Sequence, residues 1–283
     1  MSGGSSDQAA VVGLGIIGSR AFARLKDCGW PVSAWNRTPK GLAGEVADPI
    51  SAISGTRWIS LYLKDAPAVR ETFERISHHL LPGQVVLNHS TVDLATTEWL
   101  AGRCDALGCG FLDVPFTGSK VASAGGNLVY YTAGDSTLLA EADAYLRVTA
   151  RDLISCGRIG AATIVKLATN LISACTVQAL AEGLAVATHH GIDPQAFIGA
   201  VSQNACASVL SEMKLPTMAA GDFDPHFSLG NMEKDSRYVR ELAIQAGLET
   251  PAIEAVSLRM AALCDAGLAD LDYSAVARSY QGA

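Results

Sequence analysis

One short glycine-rich stretch constrains the fold of this chain more than any other feature. Residues 9–12 form an uninterrupted apolar run, as in a buried strand, and Gly-Leu-Gly-Ile-Ile-Gly follows at once and opens a helical pattern. In a G-x-G-x-x-G turn between strand and helix, the first glycine makes the tight turn, the second lets the backbone approach a pyrophosphate and the third permits close packing. The predicted phosphate-binding residues are therefore Gly13, Leu14, Gly15, Ile16, Ile17 and Gly18.

The segment after the next apolar run predicts which dinucleotide is bound. Val32–Trp35 is followed by Asn36, Arg37 and Thr38, about 20 residues beyond the glycines, where NAD sites usually carry a carboxylate that accepts hydrogen bonds from the ribose. An arginine there instead binds a 2′-phosphate, and a threonine adds a hydroxyl donor. NADP is therefore the expected cofactor, with NAD less favoured.

Apolar runs alternate with polar helical patterns over the first half of the chain, and this alternation predicts parallel βαβ units. We expect an α/β fold whose N-terminal domain, residues 1–158, is a Rossmann-type, doubly wound parallel sheet. After the first strand, further strands are predicted at Val32–Trp35, Trp58–Leu63, Val85–Leu87, Phe111–Val114, Leu128–Thr132 and Leu153–Cys156.

Strand patterns stop after Gly157, and residues 159–283 are expected to form an all-helical substrate and dimerisation domain. Its long first helix should start at Ala161 and reach His190, roughly 40 Å at about 1.5 Å per residue. The stretch Leu167–Cys175 is apolar over more than one face, which implies burial on most sides. A second subunit is expected to cover it, in a homodimer or a dimer of dimers. Further helices are predicted at Pro194–Ser202, Val209–Ala220, Met232–Ala246 and Pro251–Ala266.

Composition and charge exclude several classes of protein. A net charge of −7 and a pI near 5.3 do not provide the basic face that nucleic-acid binding requires. The seven cysteines form no C-x-x-C pair, as is typical of reduced thiols in a cytosolic protein. Residues 1–6 lack the charged and apolar regions of a secretory signal, and the uncharged run within Leu167–Ala181 is shorter than the ~18 residues that suggest a membrane span. We therefore expect a cytoplasmic protein that binds neither membrane nor nucleic acid.

Histidine and cysteine patterns give no reason to expect a metal. The sequence contains no H-E-x-x-H pattern and no Cys/His cluster, which are the usual signatures of zinc sites. His89 lies in a polar segment after a predicted strand, but no physical argument assigns it chemistry. His189 and His190 end the long helix, where a cationic side chain suits the helix dipole.

Several segments, taken in order, resemble the β-hydroxyacid dehydrogenase family, which includes 3-hydroxyisobutyrate dehydrogenases, tartronate semialdehyde reductases and glyoxylate/succinic semialdehyde reductases. The resemblance covers nearly the whole chain. The stretch Thr117–Lys120 looks most like the Ser-Gly-Ser-Lys of the glyoxylate/succinic semialdehyde branch. Besides the segments 13–18 and 36–38, the matching positions are His89–Thr91, Asp113–Lys120, Gly157–Gly160, Lys166 and Asn170.

A lone lysine on a helix is more often a surface residue whose stem packs along apolar neighbours, but the family resemblance makes Lys166 the expected catalytic residue. Hydride arriving at a carbonyl carbon leaves an alkoxide, and a positioned ammonium can donate a proton to it or, as the amine, accept one in the reverse reaction. Burial would lower the pKa of a lysine toward the working pH. Asn170 lies four residues further on the same helix face, where it could hold the substrate or the lysine.

The resemblance implies further binding residues in the first half of the chain. Thr91 would contact the nicotinamide end of the cofactor. A loop made of Thr117, Gly118 and Ser119 would bind the substrate carboxylate through hydroxyl and N–H groups. Thr117 replaces the usual serine, which keeps the hydroxyl and narrows the pocket by one methyl group.

The resemblance also covers a late segment and includes one departure. Phe227 would form a wall of the pocket, Lys234 would approach the cofactor and Asp235 would hold the active-site network. The stretch 36–62 is shorter than the family norm and lacks the aspartate that usually precedes the third strand. We therefore expect a truncated second crossover helix and a more open adenine side of the cofactor site.

The expected function is NADP-dependent hydride transfer between the nicotinamide and a short carboxylate-bearing aldehyde, keto acid or 3-hydroxy acid. An imine reductase shares the architecture, but its proton donor is typically not this lysine. A decarboxylating enzyme of the 6-phosphogluconate type would need a longer helical part. A non-catalytic NADP-binding oligomerisation module would have no need of Lys166, Asn170 and Thr91 together.

Overall fold

The computed structural model describes residues 8–280, and their contacts divide the chain into two compact units between Lys166 and Leu167. The division falls within one helix, so that helix contributes to both units. The sequence places the domain boundary after residue 158, just before this helix, and that boundary stays a prediction. The stretch 1–6, on which the expected lack of a secretory signal rests, lies outside the described residues.

The described part of the first unit contains one sheet of eight strands. Its strands follow the order β2-β1-β3-β4-β5-β7-β6, and β8 also pairs with β7. Pairing is parallel from β2 through β5, which confirms the predicted doubly wound α/β fold. The strands are β1 (Ala9–Val12), β2 (Val32–Trp35), β3 (Trp58–Leu61), β4 (Val85–Asn88), β5 (Gly110–Asp113), β6 (Phe116–Thr117), β7 (Leu128–Gly134) and β8 (Ala150–Gly157).

Two strands run against the predicted direction. β7 is antiparallel to both β5 and β6, although a parallel βαβ unit is predicted there, and β8 pairs parallel with β7. The connection between β6 and β7 spans residues 118–127 and holds only a five-residue helix. A parallel crossover needs roughly a dozen residues or more, so this connection returns the chain in the opposite direction.

Six helices accompany the sheet in the described part of the first unit. They are α1 (Ile16–Asp27), α2 (Pro49–Ile53), α3 (Ala66–Ser77), α4 (Leu94–Ala106), α5 (Lys120–Ala124) and α6 (Ser136–Leu146). An aspartate accepts backbone N–H bonds at the start of four of them, because a carboxylate satisfies the free N–H groups of a first turn. β1, β3 and β4 are buried along their whole length, as expected of parallel strands covered on both faces.

The crossover after β2 is truncated, as predicted. Residues 37–48 form no helix, and α2 is only five residues long. The carboxylate of Glu45 instead closes the loop by accepting the N–H groups of Lys40 and Leu42 at 2.9–3.1 Å. These N–H bonds and the coulombic effect of Lys40 hold the pKa of Glu45 below its usual value, although desolvation opposes the shift.

The described part of the second unit is helical, apart from one isolated bridge between Ser228 and Asp272. An all-helical C-terminal domain with a long first helix is therefore confirmed. The helices are α7 (Ala161–His189), α8 (Pro194–Ser202), α9 (Val209–Ala220), α10 (Leu229–Gln245) and α11 (Pro251–Leu263), followed by a π-helical turn (Cys264–Leu268) and a 3-10 helix (Tyr273–Tyr280).

The long helix α7 exposes one apolar stripe. The exposed positions Ala168, Ile172, Ala179, Glu182 and Val186 recur at helical spacing, and Ile172 and Val186 are each 63% exposed. By length and composition alone, α7 is also apolar enough to cross a membrane, a property that core helices of soluble proteins share. Only 28% of its most apolar window is buried within this chain. Much of the apolar surface of α7 is therefore not covered by the chain itself.

Candidate active site

The glycine-rich turn between β1 and α1 has the geometry that a pyrophosphate requires. Gly13 adopts a φ of +102°, and a Cβ there would lie 2.3 Å from the carbonyl oxygen of Tyr62. A Cβ on Gly18 would lie 2.0 Å from the carbonyl oxygen of Gly13. Gly15 differs, because a Cβ there would meet nothing within 4 Å and no side chain caps the helix it precedes. Open space in front of uncapped N–H groups at a helix start suits an anion, so this turn fits a dinucleotide.

Asn36 braces the two loops that follow β1 and β2. Its Oδ1 accepts the N–H of Leu14 at 2.8 Å, and its Nδ2 donates to the carbonyl of Thr38 at 2.7 Å. Both ends of the amide therefore hold the protein backbone in place. Arg37 and Thr38 are exposed beside it, so the predicted 2′-phosphate ligands extend from a loop that is tied to the phosphate turn.

His89 is part of the buried core of the first unit. Its Nδ1 lies 2.8 Å from the carbonyl of Val114, so this nitrogen must carry the proton, and its Nε2 then accepts from the Ser60 hydroxyl at 3.0 Å. The ring stacks on Tyr62 with centroids 4.4 Å apart. Burial lowers the pKa of His89 to about 3, although the bond to Val114 opposes the shift. His89 is therefore neutral at working pH and supports the loop that carries Thr91.

The segment that leads to Thr91 is held by its own side chains. Ser90 Oγ donates to the carbonyl of Leu61 at 3.1 Å and accepts the N–H of Leu63 at 2.8 Å. The amide of Asn88 bridges the backbone of Ser90 with bonds of 3.2 and 3.3 Å. Thr91 itself is half-buried after the carboxyl end of β4. In open α/β sheets, ligands bind outside the carboxyl ends of the strands, and Thr91 lies at this edge.

The predicted carboxylate loop follows β5 at the same edge of the sheet. Thr117 and Gly118 are exposed, and Ser119 is half-buried. Gly118 adopts a φ of +140°, and a Cβ there would lie 2.8 Å from the side chain of Leu128. The Ser119 oxygen accepts the N–H of Ala122 at 3.2 Å, so its hydroxyl proton can still be donated to a ligand.

Lys166 is half-buried in the second turn of α7. The preceding turn is bound to the end of β5, because the carboxylate of Asp113 accepts the N–H groups of Gly160 and Thr163 at 3.2 and 3.0 Å. The Thr163 hydroxyl adds a third bond to Asp113, at 2.8 Å. In the sequence, Asp113 belongs to a family segment but has no predicted role. The available signal was a charged residue within the otherwise apolar predicted strand Phe111–Val114.

In the second unit, Asn170, Lys234 and Asp235 form one buried cluster. Asn170 Nδ2 lies 2.6 Å from Asp235 Oδ2, and Lys234 Nζ lies 2.7 Å from Asp235 Oδ1. Asp235 is fully buried, and Lys234 is 7% exposed. The adjacent lysine and aspartate are thus not an ordinary solvated pair on a helix surface, and their involvement in the site stays a prediction.

Phe227 is held in place by two residues that sequence analysis did not identify. Its N–H donates to Asp272 at 3.2 Å, and Asp272 forms a buried ion pair of 2.6 Å with Lys214. The ring of Phe227 packs edge-on against Tyr273, with centroids 6.1 Å apart. No sequence pattern relates Phe227, Lys214 and Asp272, because these residues come from three separate segments of the chain.

Comparisons with known proteins match two consecutive parts of the chain, which meet at residue 160. Residues 8–160 match the family described as the NAD binding domain of 6-phosphogluconate dehydrogenase. Residues 160–280 match the family described as NAD-binding of NADP-dependent 3-hydroxyisobutyrate dehydrogenase. Together the two matches cover residues 8–280, which is the whole described part of the chain.

Relatives and solved structures agree with these families. Glyoxylate/succinic semialdehyde reductase 2, chloroplastic, of Arabidopsis thaliana is 27% identical over 96% of this chain and 79% of that protein. Glyoxylate/succinic semialdehyde reductase 1 of the same plant is 26% identical over 94% of this chain and 95% of that protein. The 3-hydroxyisobutyrate dehydrogenase of Mycobacterium tuberculosis, solved with L-serine, has the same fold, with a TM-score of 0.89 and 23% identity over 98% of this chain and 100% of that one.

The fold, the phosphate turn and the family matches define the class of this protein as an NAD(P)-dependent hydroxyacid dehydrogenase, which acts on a CH–OH group. Within that class, the chain belongs to the β-hydroxyacid dehydrogenase family.

Proposed function

We propose that this protein is an NADP-dependent oxidoreductase that interconverts a short carboxylate-bearing aldehyde or keto acid and its hydroxy acid, with Lys166 as the general acid and base. Lys166 carries the proposal, because it is half-buried on a helix whose first turn is bound to the end of β5. The names of the two Arabidopsis relatives support a semialdehyde or glyoxylate as the substrate class.

The proton chemistry is assigned to Lys166. The bound dinucleotide supplies or accepts the hydride. In reduction, the Lys166 ammonium donates a proton to the carbonyl oxygen as negative charge develops on it, and in oxidation the neutral amine removes that proton. Asn170 lies one turn further along α7, and its amide is oriented by the bond to Asp235. We assign Asn170 and Asp235 the role of holding the substrate next to the lysine.

Substrate binding is assigned to hydroxyl groups and one aromatic ring. Thr117 and Ser119 flank Gly118, whose backbone brings the loop close to Leu128. Their hydroxyl protons suit a carboxylate, which accepts up to four hydrogen bonds. Phe227, fixed by Asp272, would supply an apolar wall that favours a short substrate.

The preference for NADP is assigned to the loop after β2. Arg37 is exposed there, and the residue at the end of the strand is Asn36 rather than a carboxylate. A guanidinium binds phosphate with paired hydrogen bonds. Thr38 would add a hydroxyl, Thr91 would contact the nicotinamide end, and Lys234 would approach the cofactor from the second unit's own cluster.

A homodimer or dimer of dimers completes the proposal. The exposed stripe on α7 includes Ile172 and Val186, and a second copy that packs on this stripe would bury it. The location is proposed as cytoplasmic, supported by seven cysteines that are all free. No group of three or more metal-binding side chains occurs among residues 8–280, and the proposed chemistry requires no metal.

A substrate panel tests the function. Purified protein would be assayed with glyoxylate, succinic semialdehyde, tartronate semialdehyde and 3-hydroxyisobutyrate, each with both nicotinamide cofactors, beside a Lys166→Met protein purified in the same way. Turnover of a carbonyl acid by the parent and not by Lys166→Met supports the proposal. Reduction of a cyclic imine that survives Lys166→Met would favour an imine reductase instead. NADPH binding without turnover of any substrate would favour a non-catalytic module.

A further inference from the structure

The start of α7 is capped by a residue that is distant in the sequence. Asp113 ends β5 and is 0% exposed, and its Oδ2 accepts the N–H groups of Gly160 and Thr163. Its Oδ1 accepts the hydroxyl of Thr163 at 2.8 Å. In most capped helices of this unit the aspartate immediately precedes the helix. Here the cap lies 47 positions before Gly160 and 50 before Thr163, so it joins two parts of the fold.

The parts that it joins are those that carry the proposed chemistry. The carboxylate loop, residues 117–119, begins four residues after Asp113, and Lys166 lies three residues after Thr163. A second bond extends the junction to α4, where Thr97 Oγ1 lies 2.9 Å from Thr163 Oγ1. Because Thr163 donates its hydroxyl proton to Asp113, Thr97 is the donor in that bond. The first turn of α7 is therefore bound to both β5 and α4.

Capping the start of a helix does not by itself require an ionised carboxylate. Asparagine and serine cap helices as well as aspartate does, and neither carries a charge that burial disfavours. Burial raises the pKa of Asp113 to about 6, although the bonds from Thr163 and Gly160 oppose the shift. The fold retains this group at a cost to stability, as proteins often do where a geometry serves the reaction rather than the fold.

We propose that Asp113 is a positioning residue for the reaction: its three bonds to Gly160 and Thr163 fix the first turn of α7 on the end of β5, and so set the place of Lys166 relative to the carboxylate loop. This inference rests on the proposed function of Lys166. A helix is stiff over one turn, so a shift of its first turn moves the lysine with it. Displacements of about 1 Å can lower a rate by roughly 10²-fold.

The test removes the Thr163 hydroxyl in two backgrounds, the parent protein and the Lys166→Ala variant. Thr163→Val is nearly isosteric and deletes the bond to Asp113 Oδ1, whereas Thr163→Ser keeps it. We expect Thr163→Val to lower kcat by roughly 10–100-fold while the NADPH dissociation constant, read by fluorescence, changes less than about twofold. Thr163→Ser should restore most of kcat. Thr132→Val removes another buried hydroxyl of the same unit and controls for a general loss of stability.

A double-mutant cycle separates positioning from a general structural effect. If the bonds between Asp113 and the first turn of α7 act on the reaction through Lys166, Thr163→Val should change kcat less than about twofold in a Lys166→Ala background, since coupled residues are non-additive. An equal loss in both backgrounds, or a parent-like kcat in Thr163→Val, overturns the inference. If Lys166→Ala alone leaves kcat unchanged, the proposed function fails instead, so the two failures are distinguishable.

Discussion

The side-chain amide of Asn170 donates a hydrogen bond of 2.6 Å to the carboxylate of Asp235, although the two residues are 65 positions apart in the sequence. The bond joins α7 to α10 inside the second unit. Asp235 is fully buried, and its other oxygen faces the ammonium of Lys234. The buried charge is thus balanced by a cation and an amide, as buried carboxylates require. The amide of Asn170 is held one turn after Lys166 on the same helix.

Removing the side chain of Lys166 should abolish most turnover. We expect Lys166→Ala to lower kcat by roughly 10²–10⁴-fold, the usual contribution of a positioned proton donor, and to leave NADPH affinity largely unchanged. Steady-state kinetics on the best substrate of the panel and fluorescence titration with NADPH measure the two quantities. Lys166→Arg is the matched variant, because it keeps the charge but does not release its proton at working pH. Near-parent turnover in either variant would refute the catalytic assignment.

Arg37 should determine the choice of cofactor. We expect the parent to prefer NADPH over NADH, and Arg37→Asp to erase or reverse that preference, because a carboxylate repels the 2′-phosphate. Loss of the charge-assisted bonds should raise the KM for NADPH roughly 10- to 100-fold. Arg151→Asp, at an exposed position of β8, is the control and should leave both cofactors unaffected. Equal kcat/KM for the two cofactors in the parent would contradict the assignment.

Charge on the exposed stripe of α7 should disrupt assembly. The parent is expected to be a dimer or a dimer of dimers at micromolar concentration by light scattering. Ile172→Glu should raise the dissociation constant at least about 100-fold, since an unpaired charge is costly to bury in an interface. Leu81→Glu introduces the same charge at a residue that is 61% exposed in the first unit and should not change the mass. A monomeric, fully active parent would rule out this account of α7.

His89 should contribute to acid instability rather than to catalysis. Its pKa in the fold is about 3, below the usual 6.5, so the neutral ring stabilises the fold above pH 6.5 and this contribution is lost as the pH falls toward 3. The unfolding free energy of the parent should therefore decrease over this range by up to about 1.4 kcal/mol per pH unit from this group.

His89→Asn keeps a donor for the Val114 carbonyl and removes the titrating ring. Urea denaturation at several pH values should show the variant less stable than the parent at pH 7, with a difference that narrows on acidification. His79→Asn, at an exposed position, is the control and should follow the parent. A difference between His89→Asn and the parent that stays constant from pH 7 to pH 4 would be inconsistent with a buried neutral histidine.

Local sequence patterns were sufficient to predict most strands and helices, because each pattern depends only on the residues of one element and its flanks. The phosphate turn is readable because only glycine tolerates the φ of +102° at residue 13, and β2 was predicted to the residue because its flanks break the apolar run. The direction of β7 and β8, antiparallel to the strands of the parallel part of the sheet, was wrongly predicted. Strand direction depends on the path of residues 118–127, and no periodicity in the sequence records that path. The short α2 was expected because the stretch 36–62 is shorter than the family norm and lacks the aspartate that usually precedes the third strand.

The sequence by itself determined the fold class, the cofactor turn and the family, because these depend on residue types at short, regular spacing. Only the tertiary structure decided which polar residues are partners. Asp113 meets Thr163, and Asp272 meets Lys214, from positions 50 and 58 apart. The same holds for His89, to which the sequence assigns no chemistry and which the structure makes a neutral core residue bonded to Ser60 and Val114. Hydrogen bonding and desolvation depend on neighbours in space, and the packing of the whole unit chooses those neighbours.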